Sequence, residues 1–268
     1  MYKNICRLAL LLLLLSMAEA KAQQPSDDYV LVFRDEFKGP RGSQPDASKW
    51  SCPHRNPSTW ARWISPSRAV AFLRGGKLVC RAIPNTTEPG DTARMLTGAV
   101  ESLGKFSFQY GKVEVRMKTN LKQGNFPAIW MKPSDTKTDD RYGEIDIVET
   151  YGYKKASFHT IHTHETYTLK KRKPTEFSKD IDISRWHVYG VEWTPDSIVW
   201  TVDGASVGVY RKSSLPEDLR NGQWTFDRPF YLRLNQSLGD GSYPRFTPMT
   251  NEEYETRFDW VRVYQKKH

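Results

Sequence analysis

The 268-residue chain has only three cysteines, and Cys6 stands ahead of an apolar stretch. A lipoprotein cysteine would follow such a stretch, so that role is excluded for Cys6. No group of cysteine and histidine has zinc-ligand spacing, which argues against a structural zinc site. The apolar run Leu8–Leu15 is too short to span a bilayer. After residue 22 there is no sustained helical periodicity. Internal repeats, low-complexity linkers and proline- or serine-rich boundaries are absent too. What remains is a single domain over residues 23–268, built from something other than helices.

The N-terminus has its own pattern. Lys3 and Arg7 precede Leu8–Leu15, and small residues follow at Ala18, Ala20 and Ala22. A basic start, a short apolar run and an Ala-x-Ala site predict a secretory signal peptide over residues 1–22. The remainder is expected outside the cytoplasm, periplasmic or extracellular, with no stable membrane insertion. Cys52 and Cys80 would then meet an oxidising compartment. A disulfide and a pair of buried free thiols both remain open.

The chain carries 40 Lys and Arg against 31 Asp and Glu, a formal charge of +9. Residues 1–22 hold Lys3, Arg7, Lys21 and Glu19, so their removal leaves +7. A basic balance suits nucleic acid, an anionic surface or an acidic polysaccharide. The cations are scattered except for Lys170-Lys171-Arg172-Lys173, a run that reads as a solvated loop. No basic face interleaved with aromatics appears, so no nucleic-acid partner is expected. Aromatics make up 13% of the residues, with nine tryptophans, enough to line a groove as well as a core.

Short strand-like segments recur between turns. They include Tyr29–Phe33, Ala69–Leu73, Lys77–Ala82, Lys112–Thr119, Glu144–Glu149, His187–Trp193, Ile198–Val202, Phe230–Leu234 and Phe258–Tyr264. Several alternate apolar and polar residues with the period of two that a half-buried strand requires. Arg74-Gly75-Gly76-Lys77 and Val202-Asp203-Gly204-Ala205 carry hairpin signals. Leu215–Leu219 and Asn251–Glu255 could each form one turn of helix. The pattern predicts an all-β sandwich or barrel.

The segment Gly143-Glu144-Ile145-Asp146-Ile147-Val148-Glu149-Thr150 carries the chemistry. Residues two apart on a strand share a face, so Glu144 and Asp146 point one way and Ile145 the other. Regular alternation would send Glu149 to the core side. A β-bulge at Ile147-Val148 would absorb one residue and return Glu149 to the acidic face. Three clustered carboxylates repel one another and resist ionisation, a cost that a fold keeps where chemistry uses it. Glycoside hydrolysis uses such a set: an ionised carboxylate and a protonated one flank the scissile bond. Along the strand Glu144 and Glu149 would lie roughly 13 Å apart, so a curved sheet must bring their side chains together.

The bulged motif Glu-x-Asp-x-x-Glu resembles that of glycoside hydrolase family 16, which contains laminarinases, lichenases, agarases, carrageenases, porphyranases and endo-β-galactosidases. The resemblance covers nearly all of residues 23–268. It extends to Tyr29–Phe37, Gly104–Lys118, Gly124–Met131, Trp186–Pro195, Pro229–Leu234 and Asp259–Tyr264. It implies a jelly-roll sandwich of two curved antiparallel sheets with an open cleft. It implies Glu144 as nucleophile, Glu149 as acid/base and Asp146 as the assisting acid, in a retaining, endo-acting hydrolase.

Further assignments follow from the same resemblance. His162, in Thr160-Ile161-His162, would stand beside the acids, and Trp130 would stack on a sugar face. Trp60, Trp63, Asn235, Gln236 and Tyr243 fall on expected cleft segments, with a structural role equally open to each. Asp259 occupies the place of a calcium ligand, implying a structural Ca²⁺, and catalysis itself would need no cofactor. A monomer acting on an oligo- or polysaccharide is expected. Glucan-cleaving members commonly show Trp-Pro-Ala where this chain has Phe126-Pro127-Ala128. That departure and the positive charge favour an endo-β-galactosidase of mucin-type O-glycans, poly-N-acetyllactosamine or related galactans. A β-1,3- or mixed-linkage glucanase is the alternative, and a non-catalytic carbohydrate-binding protein is the more distant one.

Overall fold

The computed structural model describes residues 28–135, 141–242 and 247–267. The expected signal peptide lies outside them. Among the described residues no helix is long and apolar enough to cross a membrane.

Two antiparallel sheets face each other, the sandwich that the strand pattern predicts. The first contains β1 (Tyr29–Asp35), β2 (Ala71–Leu73), β3 (Leu78–Pro84), β4 (Met95–Thr97), β6 (Gly111–Thr119), β11 (His187–Trp193), β12 (Ser197–Val202), β13 (Ala205–Arg211) and β15 (Tyr254–Lys266). Its main order is β13-β12-β11-β6-β15-β3-β2, with β1 on β15 and β4 on β3. The second contains β5 (Ala99–Glu101), β7 (Asn125–Pro133), β8 (Gly143–Glu149), β9 (Ala156–Thr163), β10 (Thr175–Asp180) and β14 (Phe230–Leu238). Its order is β10-β9-β8-β7-β14-β5.

Alternation explains the core. Val113, Val115 and Met117 of β6 meet Ile129 and Met131 of β7, Ile145 of β8 and Ile161 of β9 in one buried cluster. Leu232 and Leu234 of β14 and Trp200 of β12 belong to the same cluster. Each fully buried Leu, Ile or Val contributes about 1.5–3 kcal/mol relative to exposure. The intervening residues of β7, β8 and β9 are thereby turned to the outer face of the six-stranded sheet, where the site is built.

Both hairpin signals form turns. Asp203 and Gly204 take φ of 51° and 80° between β12 and β13, and Gly75 and Gly76 take 61° and 67° between β2 and β3. Two consecutive positive φ values match the right-handed twist of the flanking strands. Leu215–Leu219 gives a short helix, α1 (Pro216–Arg220). Asn251–Glu255 does not become helical. Tyr254 is buried and pairs with Ala82, so tertiary pairing draws this end into β15. Cys52 and Cys80 are free thiols, the second inside the main core and the first in a separate small cluster.

Candidate active site

The strand β8 is irregular where the sequence requires it. Against β9, Asp146 pairs with Thr160 and Glu149 pairs with Phe158, so Ile147 and Val148 oppose the single residue His159. The pairing with β7 shifts at the same place. Two residues opposite one is a β-bulge. Ile147 and Val148 both enter the core, and Glu149 rejoins Glu144 and Asp146 on the outer face.

Two groups beneath the sheet satisfy carbonyls that the irregular ladder disturbs. The imidazole Nδ1 of His159 donates to the Ile147 carbonyl at 2.6 Å, and the indole Nε1 of Trp200 donates to the Asp146 carbonyl at 2.8 Å. His159 also meets the Ser157 hydroxyl at 3.0 Å through Nε2. Burial lowers the His159 pKa to about 4, so the ring is neutral at physiological pH.

Above the sheet, a cavity of about 260 Å³ is lined by Glu144, Asp146, Glu149, Trp60, Trp130, His162 and their neighbours Phe126, Tyr142 and Tyr167. Glu144 Oε2 accepts from the Tyr142 hydroxyl at 2.9 Å, and the Lys132 ammonium lies 3.4 Å from the same oxygen. That ammonium also sits 3.6 Å from the centre of the Tyr142 ring, a cation–π contact. His162 Nε2 is 3.4 Å from Asp146 Oδ2 and 3.7 Å from Glu144 Oε1. Tyr151 hydrogen-bonds Glu149, and the Thr160 hydroxyl lies 3.5 Å from Glu149 Oε2.

Asp146 and Glu149 both resist ionisation in this setting. Burial and the charge of Glu144 push Asp146 up to about 6. Burial and then the charge of Asp146 raise Glu149 well above the usual carboxylate range. Burial works to lower His162, but contact with Asp146 and the surrounding carboxylates outweighs it and raises the pKa to about 9. The arrangement offers an anionic oxygen at Glu144 and a retained proton among Asp146, Glu149 and His162. Donor atoms of Glu144, Asp146 and His162 lie within 4.8 Å of one another. The Lys132 ammonium and the cationic His162 already supply positive charge there, so the trio does not suit a metal ion.

Trp130 projects from β7 beside the acids, and its indole Nε1 donates to Asn235 Oδ1 at 2.7 Å. Trp60 meets it edge-on at 4.8 Å, and the Arg233 guanidinium covers both rings at 4.6 and 4.7 Å. Asn235 is buried and passes a hydrogen bond to Ser237, which binds the Trp60 carbonyl. Asn235 therefore holds the two tryptophans rather than facing the cavity.

Three further residues are placed differently from what the sequence suggests. Gln236 follows Asn235 on β14 and so points the opposite way. It is fully buried, donating to Asn125 and accepting from Thr256. Trp63 packs with Ala82, Met95, Leu238 and Tyr254 in a satellite cluster away from the cavity. Asp259 does not fit a calcium ion. Calcium requires six to eight oxygen ligands, whereas Lys77 Nζ lies 3.0 Å from Asp259 Oδ1 and Arg116 binds Oδ2. Tyr243 lies outside the described residues. Sequence reasoning did not find Lys132, Tyr142, Tyr151, His159 or Tyr167. Tyr142 directly precedes the acidic segment and Lys132 lies two residues beyond Trp130, but neither type announces its role.

Known proteins resemble this chain in sequence and in fold. A family model described as glycosyl hydrolases family 16 matches residues 84–262. A keratan-sulfate endo-1,4-beta-galactosidase from Sphingobacterium multivorum is 33% identical over 241 residues, covering 89% of this chain and 56% of the relative. A beta-glucanase from Rhodothermus marinus is 30% identical, covering 93% of this chain and 90% of the relative. The chain spans little more than half of the first of these proteins. A non-specific endo-beta-1,3(4)-glucanase of the same family has a similar structure, with a TM-score of 0.78 and 28% identity over 91% of this chain and 93% of that one. An endo-acting O-glycanase associated with mucin breakdown by human gut microbiota superposes with a TM-score of 0.76 and 25% identity, covering 89% and 100%.

Proposed function

The chain belongs to glycosyl hydrolases family 16, and from that premise we propose that it cleaves internal β-linkages of a galactose-containing glycan by double displacement. The observation that carries the reading is the bulge, which gathers Glu144, Asp146 and Glu149 beside Trp130 in one cavity. Glu144 is the nucleophile: Tyr142 and Lys132 orient its oxygen and stabilise its charge. Glu149 is the proton donor, and its raised pKa keeps the proton available for the leaving oxygen. When Glu144 bonds the anomeric carbon its negative charge is lost. The carboxyls beside it then ionise more easily, and Glu149 becomes the base that activates the releasing water. Asp146 and His162 exchange charge between these two states.

Galactose is favoured by the endo-β-galactosidase relative and by Phe126 at the position where glucan-cleaving members commonly carry tryptophan. The glucanase relative supports a β-glucan as the second reading. The test is product analysis after incubation with poly-N-acetyllactosamine, mucin O-glycans, agarose, laminarin and lichenan. Oligosaccharides from the galactose-containing substrates alone are expected. Release from laminarin or lichenan alone would move the assignment to glucan. Equal turnover by Glu144→Gln would remove the nucleophile.

A further inference from the structure

Beyond His162 the cavity continues into a second groove of about 450 Å³, lined by His162, Thr166, Tyr167 and the segment Lys170-Lys171-Arg172-Lys173. This is the basic run that the sequence suggests is an ordinary solvated loop. The fold gives it a fixed place. A single π-helical turn, His164–Thr168, follows the end of β9 at Thr163, which caps its start. Lys170 then takes a φ of 54°, a left-handed conformation unusual for a residue with a side chain, which turns the chain back. Arg172 anchors the segment through Asp218 at 2.7 Å and Glu165 at 3.4 Å, and Lys171 binds the Asn221 side-chain oxygen at 2.6 Å.

Those anchors neutralise Arg172 only. Among the described residues no carboxylate pairs with Lys170, Lys171 or Lys173, and all three are exposed. Lys170 Nζ lies 4.7 Å from the Tyr167 ring, which stacks on Tyr142 at 3.9 Å, and Tyr142 binds Glu144. One continuous surface thus leads from the acidic centre across two stacked rings to three unneutralised ammonium groups. It leaves the centre on the β9 side, the flank opposite Trp130 of β7. The two ends are chemically different: an apolar, aromatic end at Trp60 and Trp130, and a cationic one here.

We propose that this groove is an anion-recognising subsite, binding a sulfate ester or carboxylate carried by a sugar next to the scissile linkage. The proposal rests on the glycan-hydrolase reading and narrows it to chains that bear negative charge. A neutral polymer offers three ammonium groups only hydroxyl acceptors, whereas a sulfated or sialylated one adds counter-charge and meets them as stronger, charge-assisted hydrogen bonds. Such contacts are exposed and therefore weaken with salt.

The test is calorimetric binding of neutral, 6-sulfated and sialylated lactosamine oligosaccharides of one length to wild-type protein and to the double variant Lys170→Gln/Lys173→Gln. The ratio of kcat/KM for charged over neutral oligosaccharide is measured in parallel. Wild type is expected to bind one charged series about tenfold more tightly than the neutral one at low salt. The sulfated and sialylated arms identify which anion it takes. The advantage should vanish at high salt and in the double variant, appearing in KM rather than kcat. Equal affinity for all three oligosaccharides, or an advantage that survives the double substitution, overturns the subsite. Binding without turnover by wild type would instead sink the hydrolase reading, leaving the groove to be judged on affinity alone.

Discussion

His159 Nδ1 lies 2.6 Å from the Ile147 carbonyl oxygen, and this bond closes the underside of the bulge that presents Glu149. The imidazole is the one β9 residue standing opposite two residues of β8. It is fully buried on the inner face, so a missing donor leaves the carbonyl shielded from bulk solvent. His159→Phe fills the space without supplying an N–H. It should cost about 1–3 kcal/mol for the unpaired carbonyl. It should also reduce kcat by about 100-fold as Glu149 loses its position. Thermal unfolding and steady-state kinetics check both. A variant with full kcat would show that the bulge holds without this bond.

The same histidine sets a pH window for stability. Its folded pKa of about 4 lies below the ordinary value of 6.5, so between these values the unfolded chain binds more protons. The stabilisation is fully present above pH 6.5 and is lost as pH falls towards 4. The size is on the order of 3 kcal/mol. Denaturant unfolding at intervals from pH 7 to 4 should show a decline in wild type that is blunted in His159→Phe. Parallel profiles would remove His159 as its source.

Glu149→Gln tests the proposed proton donor separately from the proposed nucleophile. Glutamine keeps the shape but has no acidic proton, and general acid catalysis typically contributes 10²–10⁴-fold. Activity on an unactivated glycan should fall by about that factor. Formation of the glycosyl-enzyme from a dinitrophenyl oligosaccharide should survive, because that leaving group departs without protonation. A burst of dinitrophenol is the readout. Loss of the burst would mean that Glu149 serves the first step in some other way.

Much of this site is legible in the sequence because its logic is local. Period-two alternation assigns Glu144 and Asp146 to one face, and the spacing to Glu149 requires an extra residue, which the ladder supplies at Ile147-Val148. The limits come from contacts between segments distant in sequence. Trp63 and Trp60 look alike on paper, and only packing sends one to a satellite cluster and the other to the cavity. Asn235 and Gln236 are adjacent amides whose opposite directions follow from the register of β14 with β7. Asp259 sits at a metal position by resemblance, but Lys77 and Arg116 come from other strands or turns to neutralise it.

That neutralisation gives a direct prediction about metal. With both carboxylate oxygens held by cations, neither added calcium nor EGTA should shift the unfolding temperature by more than about 1 °C. Asp259→Asn should lower it instead, by leaving Lys77 and Arg116 without their shared counter-ion. Calorimetric scans with and without chelator decide the point. A chelator-induced drop of several degrees would show that a cation does stabilise this fold.

Lys132 is the sharpest departure from what the motif alone suggests. Its ammonium is largely buried, and burial lowers its pKa while Glu144 opposes that shift. It lies between the Glu144 carboxylate and the Tyr142 ring, and the same carboxylate oxygen takes the Tyr142 hydroxyl bond. Replacing it by methionine preserves most of the volume, so the strand should repack at little steric cost. The charge is what disappears. Three carboxylates would then share the cavity with His162 as their nearest cation, and Glu144 would keep only the Tyr142 hydroxyl bond and the longer His162 contact. Lys132→Met should therefore lower kcat by about tenfold or more while leaving the far-UV spectrum intact. Raised salt should not restore it, because a desolvated pair is little screened and bulk ions do not replace it. Tyr142→Phe, which keeps the ring beneath the ammonium but removes the hydroxyl, should give a smaller loss. If Lys132→Met turned over substrate at the wild-type rate, this cation would have no part in holding the nucleophile.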